Sequence, residues 1–198
     1  MLNPTSPQEL NEFFEYVVDT LEFLGIPYMV AGGFAAIFYG EPRLTIDVDI
    51  LVDLRVEQIK LLLLAFPAPQ YYLNEEALRE ALRRRRPFNV IQVNTGAKAD
   101  LVPLPHEPFS RTAFSRRQQM AYNSAGKTAF FISVEDIVLA KLYAYVNTQS
   151  DKHLRDARGV LVTQWDTINI EMLRYVARRT DITTLFEQVY QAAKEELS

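Results

Sequence analysis

The segment at residues 45–52 reads TIDVDILV. Apolar residues at every second position mark a half-buried strand, because successive side chains of a strand point to opposite faces. Ile46, Val48, Ile50 and Val52 then share one face, and Asp47, Asp49 and Leu51 share the other. A slip of one residue would bury both carboxylates, so any fold that accepts this segment must hold its register. A chain built round such a strand needs neighbours for it on both sides and helices over its apolar face.

The flanking sequence supplies them. Ser6, Pro7 and Glu9 combine an N-cap hydroxyl, a proline at the first helical position and a capping-box carboxylate. The helix they open buries Leu10, Phe13, Phe14, Val17, Leu21 and Leu24 at spacings of three and four, and Gly25 ends it. Tyr28–Ala31 is too short for a helix and lies between Gly25-Ile26-Pro27 and Gly32-Gly33, which predicts a strand. Residues 34–39 predict a short helix stopped by Gly40 and Pro42. Residues 56–66 predict a helix packed on the sheet. Residues 75–86 predict an exposed one, with acids in its first turn and bases in its last. Residues 88–93 and 98–104, joined by Asn94-Thr95-Gly96, predict a hairpin, and residues 119–122 and 128–132 a second. Beyond Ser133-Val134-Glu135-Asp136, a capping-box pattern, only helices are expected, near 151–163, 169–179 and 182–195. The fold class expected is α/β (α+β): a small mixed sheet flanked by helices over residues 1–132, followed by a helical segment at 133–198 that packs on this core.

Composition limits the chemistry. The 198 residues include no cysteine, which removes disulfides, thiolate metal sites and cysteine nucleophiles together. Any metal must be held by oxygen ligands or by His106 and His153, and oxygen ligands favour hard cations. Neither histidine has metal-ligand spacing to another imidazole. A formal charge of −4 argues against a surface coated with bases for non-specific nucleic-acid binding. The apolar run at residues 59–66, which contains Lys60, falls far below the roughly 18 residues that cross a bilayer, and the N-terminus lacks signal-peptide order. No membrane association and a cytoplasmic location are expected. No GxSxG occurs to support serine hydrolase chemistry.

Two aspartates two apart on a strand sit about 6–7 Å from each other and point the same way, so their side chains converge on one or two divalent cations. Cations about 3.5–4 Å apart suit in-line phosphoryl displacement. Asp100, within the predicted strand KADLVPL, is poorly placed as an unpaired carboxylate, since desolvating it without a partner costs several kcal/mol. Three neighbouring carboxylates repel, and a bound Mg2+ or Mn2+ is the simplest compensation. The plain alternative is that paired acids merely form the solvent face of a sheet. Against it stands the Gly32-Gly33 turn between a strand and a helix start, where free backbone amides hold phosphate.

The stretch VAGGFAAIFYGEPRLTIDVDILV resembles the core motif of the DNA polymerase beta-like nucleotidyltransferase superfamily: a glycine pair after a strand, a short helix, then a strand with two alternating acids. ISVEDIVLAKLYAYVNTQSDKHLRDARGVL is similar to the helical motif of its minimal bacterial, AbiEii-like branch. The likeness spans roughly residues 10–165 and is strongest at 28–53 and 132–160. It implies that Asp47 and Asp49 bind metal, that Asp100 completes the triad and acts as base on the acceptor hydroxyl, and that Gly32 and Gly33 line the triphosphate of a nucleoside triphosphate. It also implies that Lys141 reaches the phosphates and that Asp156 lies near the cleft. Many members carry a serine where this chain has Gly33, which removes one hydroxyl donor to the phosphates.

Further residues admit two readings. Arg43 and Thr45 precede the paired acids and would contact phosphate or acceptor, Thr45 sharing the face of Asp47; Arg43 is equally well a surface charge. Without the resemblance, Lys141 in an apolar helix reads as a lysine that snorkels to water. Arg83-Arg84-Arg85-Arg86 would dock a polyanion such as RNA, or simply complement a helix end. Trp165, Tyr71, Tyr72, Phe109 and Phe114 read as packing. The function expected is metal-dependent transfer of a nucleoside monophosphate to an acceptor hydroxyl on RNA, protein or a small molecule. The rival is a non-catalytic module that binds nucleotide, RNA or a partner protein, as in a toxin and antitoxin pair.

Overall fold

The structure, a computed structural model, describes residues 6–40 and 47–198. Arg43, Thr45 and Ile46 therefore lie outside the described residues. Contacts divide the chain into two compact units, Met1–Val30 with Thr45–Phe131 and Ala31–Leu44 with Ile132–Ser198.

In the first unit, helix α1 (Pro7–Phe23) begins where the cap signals place it. The Ser6 hydroxyl accepts from the Glu9 amide, and the Glu9 carboxylate accepts from the Ser6 amide at 2.8 Å. At the other end Ile26 N donates to Leu21 O and Gly25 N to Glu22 O, with Gly25 at φ +61°. This 6→1 and 5→2 pair is the closure that a residue with positive φ allows. Leu10, Phe13, Phe14, Val17 and Leu21 are buried, while Leu24 is only half-buried.

The sheet is mixed and has seven strands among the described residues: β1 (Tyr28–Ala31), β2 (Asp47–Val52), β3 (Tyr71–Tyr72), β4 (Phe88–Gln92), β5 (Lys98–Pro103), β6 (Gln118–Ala121) and β7 (Thr128–Phe131), in the order β3-β4-β5-β2-β1-β7-β6. β2 runs parallel to β5 and β1 parallel to β7, whereas the β4–β5 and β6–β7 hairpins are antiparallel. Both hairpins stand where the turn residues predict them. Val48, Ile50 and Val52 are paired in register with Ala99, Leu101 and Pro103, and all six are buried or nearly so. This is the apolar face of the alternating pattern. The predicted helix at 56–66 forms as one 3-10 turn (Val56–Gln58) running into α3 (Ile59–Ala65), with Ile59 and Leu62 buried. α4 (Glu75–Arg84) follows, capped by Asn74 and buried only at Leu78 and Ala81.

Two elements escape the sequence reading. β3 has only two residues. α5 (Pro108–Ser115) spans eight and buries only Ala113 and Phe114, too few for a visible period.

In the second unit, α2 (Gly32–Tyr39) starts two residues ahead of expectation, at the glycine pair. It packs on α6 (Val134–Thr148) and α7 (Asp151–Thr163), while α8 (Ile170–Arg179) and α9 (Thr183–Glu196) complete the unit. Ser133 caps α6, and its hydroxyl also donates to the buried Asp136 carboxylate at 2.9 Å. Gly40 lets α2 end against α7: a Cβ there would lie 2.7 Å from Ala36 O and 3.1 Å from Val160 N. Among the described residues no helix is long and apolar enough to cross a membrane.

Candidate active site

The polar face of β2 carries Asp47 and Asp49, and the parallel register with β5 decides what stands beside them. Asp47 is opposite Lys98, and Asp49 is opposite Asp100. On the far side of β5, Asn89 of β4 is opposite Asp100. Register partners on neighbouring strands point to the same face, about 5 Å apart. Asp47, Asp49 and Asp100 thus share one face of the two parallel strands β2 and β5.

Two groups the sequence reading did not single out complete this face. The Lys98 ammonium lies 3.0 Å from Asp100 Oδ2 and 3.4 Å from Asp47 Oδ1. The Asn89 amide donates to Asp100 Oδ1 at 2.6 Å. Both oxygens of Asp100 are therefore engaged. Partial burial works against the charged form of Lys98, but the hydrogen bond and charge of Asp100, joined by the charge of Asp47, outweigh it and hold its pKa above the ordinary lysine value. The signal for Lys98 was present: KAD places it two residues before Asp100, hence on the same face. Recognising that it bridges to Asp47 requires the register.

The donor set suits a hard divalent cation, since three carboxylates face one ammonium and all the anionic ligands are oxygens. As the side chains stand, no group of three or more His, Cys, Asp or Glu residues among those described is gathered closely enough to hold a metal ion. Lys98 lies between two of the three carboxylates and offsets part of their charge.

The remaining candidates belong to the second unit or to the surface. Gly32, at φ +60°, and Gly33 are the first two residues of α2. Lys141 is 5% exposed and does not reach water by snorkelling. Its ammonium donates to Asp156 Oδ2 at 2.7 Å, and both side chains are 6% exposed. The structure thus joins these two residues as a buried ion pair between α6 and α7.

In the basic run, Arg83 and Arg84 both pair with Glu80, and Arg85 donates to the Leu104 carbonyl. Arg83 and Arg85 join Arg55 and Arg79 round a cavity of about 440 Å³ that also reaches Val52, on the face of β2 opposite the aspartates. His106 contacts Arg111, and His153 is half-buried near the start of α7. Tyr71 stacks on Tyr16 at 5.4 Å and Trp165 on Tyr190 at 5.2 Å, as packing residues do, whereas Tyr72 is 60% exposed.

No family model matches the chain, and no curated protein does. Solved structures do. An antigenic nucleotidyltransferase-like protein from Paracoccidioides brasiliensis superposes with a TM-score of 0.53 at 20% identity, over 80% of this chain and 77% of that one. The lincosamide antibiotic adenylyltransferase LnuA, solved with lincomycin bound, gives 0.53 at 13% identity, over 80% and 98%. The antibiotic-resistance factor ANT(2'')-Ia gives 0.50 at 15% identity, over 93% and 95%. At these identities the likeness speaks for architecture, and the architecture it establishes for this chain is the nucleotidyltransferase fold.

Proposed function

We propose that the chain is a metal-dependent nucleotidyltransferase that moves a nucleoside monophosphate from a nucleoside triphosphate to an acceptor hydroxyl. The observation that carries this reading is the placement of Asp47, Asp49 and Asp100 on one face of two parallel strands held in register, within a nucleotidyltransferase fold. A divalent cation, Mg2+ or Mn2+, would be held by these three carboxylates and would neutralise the triphosphate.

In this reading the acceptor oxygen forms a bond to the α-phosphorus, the bond to the departing pyrophosphate breaks, and the acceptor proton passes to Asp100. Asn89 keeps one oxygen of Asp100 oriented while the other takes that proton. Gly32 and Gly33 are proposed to bind phosphate through backbone amides, without the hydroxyl that a serine at 33 would add. Arg43, Thr45 and Lys141 are proposed as further phosphate contacts, and Asp156 as the group that orients Lys141. The acceptor proposed first is a small hydroxylated molecule, because LnuA and ANT(2'')-Ia, both tied by their names to antibiotics, share this architecture over most of their length. RNA or protein acceptors, and placement in the AbiEii-like branch, rest on the sequence resemblance.

A second reading, a non-catalytic nucleotide or partner-binding module, is favoured by one observation: Lys98 already offsets the charge of two of the three acids. Melting curves with each nucleoside triphosphate, with and without Mg2+ or Mn2+, separate the two. A ligand at about 100 times its Kd adds roughly 2.7 kcal/mol. The first reading expects a metal-dependent shift that Asp47→Ala/Asp49→Ala abolishes, and pyrophosphate release once an acceptor is supplied. Nucleotide stabilisation that ignores metal and the double substitution would establish the second.

A further inference from the structure

We infer that Lys98 is a built-in counter-ion that occupies the cation position between Asp47 and Asp100 and must leave it for a divalent ion to bind. The inference rests on the metal-dependent reading above and adds to it a residue that sets metal affinity.

Three observations support it. Lys98 and Asp47 are register partners on parallel strands, and Asp100 follows two residues after Lys98, so the backbone holds all three side chains on one face. The ammonium touches a carboxylate oxygen of each, at 3.4 and 3.0 Å, which is how a shared cation is held. Asp100 uses its other oxygen on Asn89, so the oxygen it presents towards Asp47 is the one Lys98 covers. An ion bridging these carboxylates would meet a positive charge at contact distance unless the lysine moved, and its flexible four-carbon stem permits that. With the ammonium withdrawn, the amine is released towards solvent.

The test compares wild type with Lys98→Met, Lys98→Gln and Lys98→Arg, titrated with Mn2+ by calorimetry. Two part-exposed ion pairs must break when the metal enters. The neutral variants should therefore bind Mn2+ about tenfold more tightly, a factor that corresponds to 1.4 kcal/mol. They should also melt lower than wild type in chelator and recover on adding Mn2+. Lys98→Arg should keep wild-type affinity, and Asp47→Asn added to Lys98→Met should remove the gain.

A second readout follows the displacement itself. Acetylation of the Lys98 amine in the wild-type protein, quantified by peptide mass spectrometry, should accelerate when Mn2+ is added. Two neutral variants serve in case one fails to fold. Equal or weaker Mn2+ binding in the neutral variants, or labelling unaffected by Mn2+, overturns the counter-ion role and leaves the nucleotidyltransferase reading standing. Absence of Mn2+ binding in all four proteins, with or without a nucleoside triphosphate, overturns both.

Discussion

Lys141→Met should destabilise the second unit by about 3–5 kcal/mol, the usual cost of leaving one partner of a buried ion pair behind. The magnitude follows from burial. Lys141 and Asp156 are each 6% exposed at the side chain and 2.7 Å apart, so water hardly screens the pair. Methionine keeps the volume of the lysine stem, which limits any cavity contribution. For a chain of this size each kcal/mol moves Tm by about 2–4 °C, so a fall of roughly 6–20 °C is expected. Trp165, the only tryptophan, lies in the same compact unit, and its fluorescence under urea follows that unit directly. Lys141→Met/Asp156→Leu should recover most of the loss, because replacing both partners of a buried pair with apolar groups removes both buried charges together. A loss below about 1 kcal/mol in the single variant, the range of exposed pairs, would refute the claim that this pair is desolvated.

Gly40→Ala should cost about 1–3 kcal/mol by the same fluorescence assay, since its Cβ meets backbone atoms of α2 and α7 that do not yield. Gly25→Ala has open space but holds φ at +61°, and a loss near 1 kcal/mol is expected in urea denaturation of the first unit. Arg174, hydrogen-bonded to Glu187, holds that carboxyl below its ordinary pKa. Because the folded value is depressed, the stabilisation is present above the ordinary carboxylate pKa and is lost as pH falls through the folded one. Urea midpoints of wild type and Glu187→Gln should therefore differ at pH 7 and converge only as pH falls below the ordinary carboxylate range. Ser6→Ala should remove about 1 kcal/mol and raise amide exchange in the first turn of α1; unchanged exchange would show that the capping box adds nothing.

The parts legible in the sequence are those whose cause is local. Ser6, Pro7 and Glu9 open a helix by bonds that span three residues, and Gly25 closes it because the closing turn needs positive φ there. TIDVDILV declared its two faces by period alone, and Asn94-Thr95-Gly96 announced the hairpin that delivers Asp100. What stayed hidden depends on pairing between distant segments. Nothing within KADLVPL says that Lys98 stands opposite Asp47, and nothing within residues 134–148 says that Lys141 meets Asp156 rather than water. Those contacts exist because β5 settles beside β2 in one register and α7 against α6, choices made by burying Val48, Ile50, Ala99 and Leu101 in one case and Leu142, Ala157 and Val160 in the other. The sequence by itself determined which residues face together along each element. Only the tertiary structure decided which charges those faces bring into contact, because side-chain direction follows from local geometry whereas partner choice follows from the burial of a shared core.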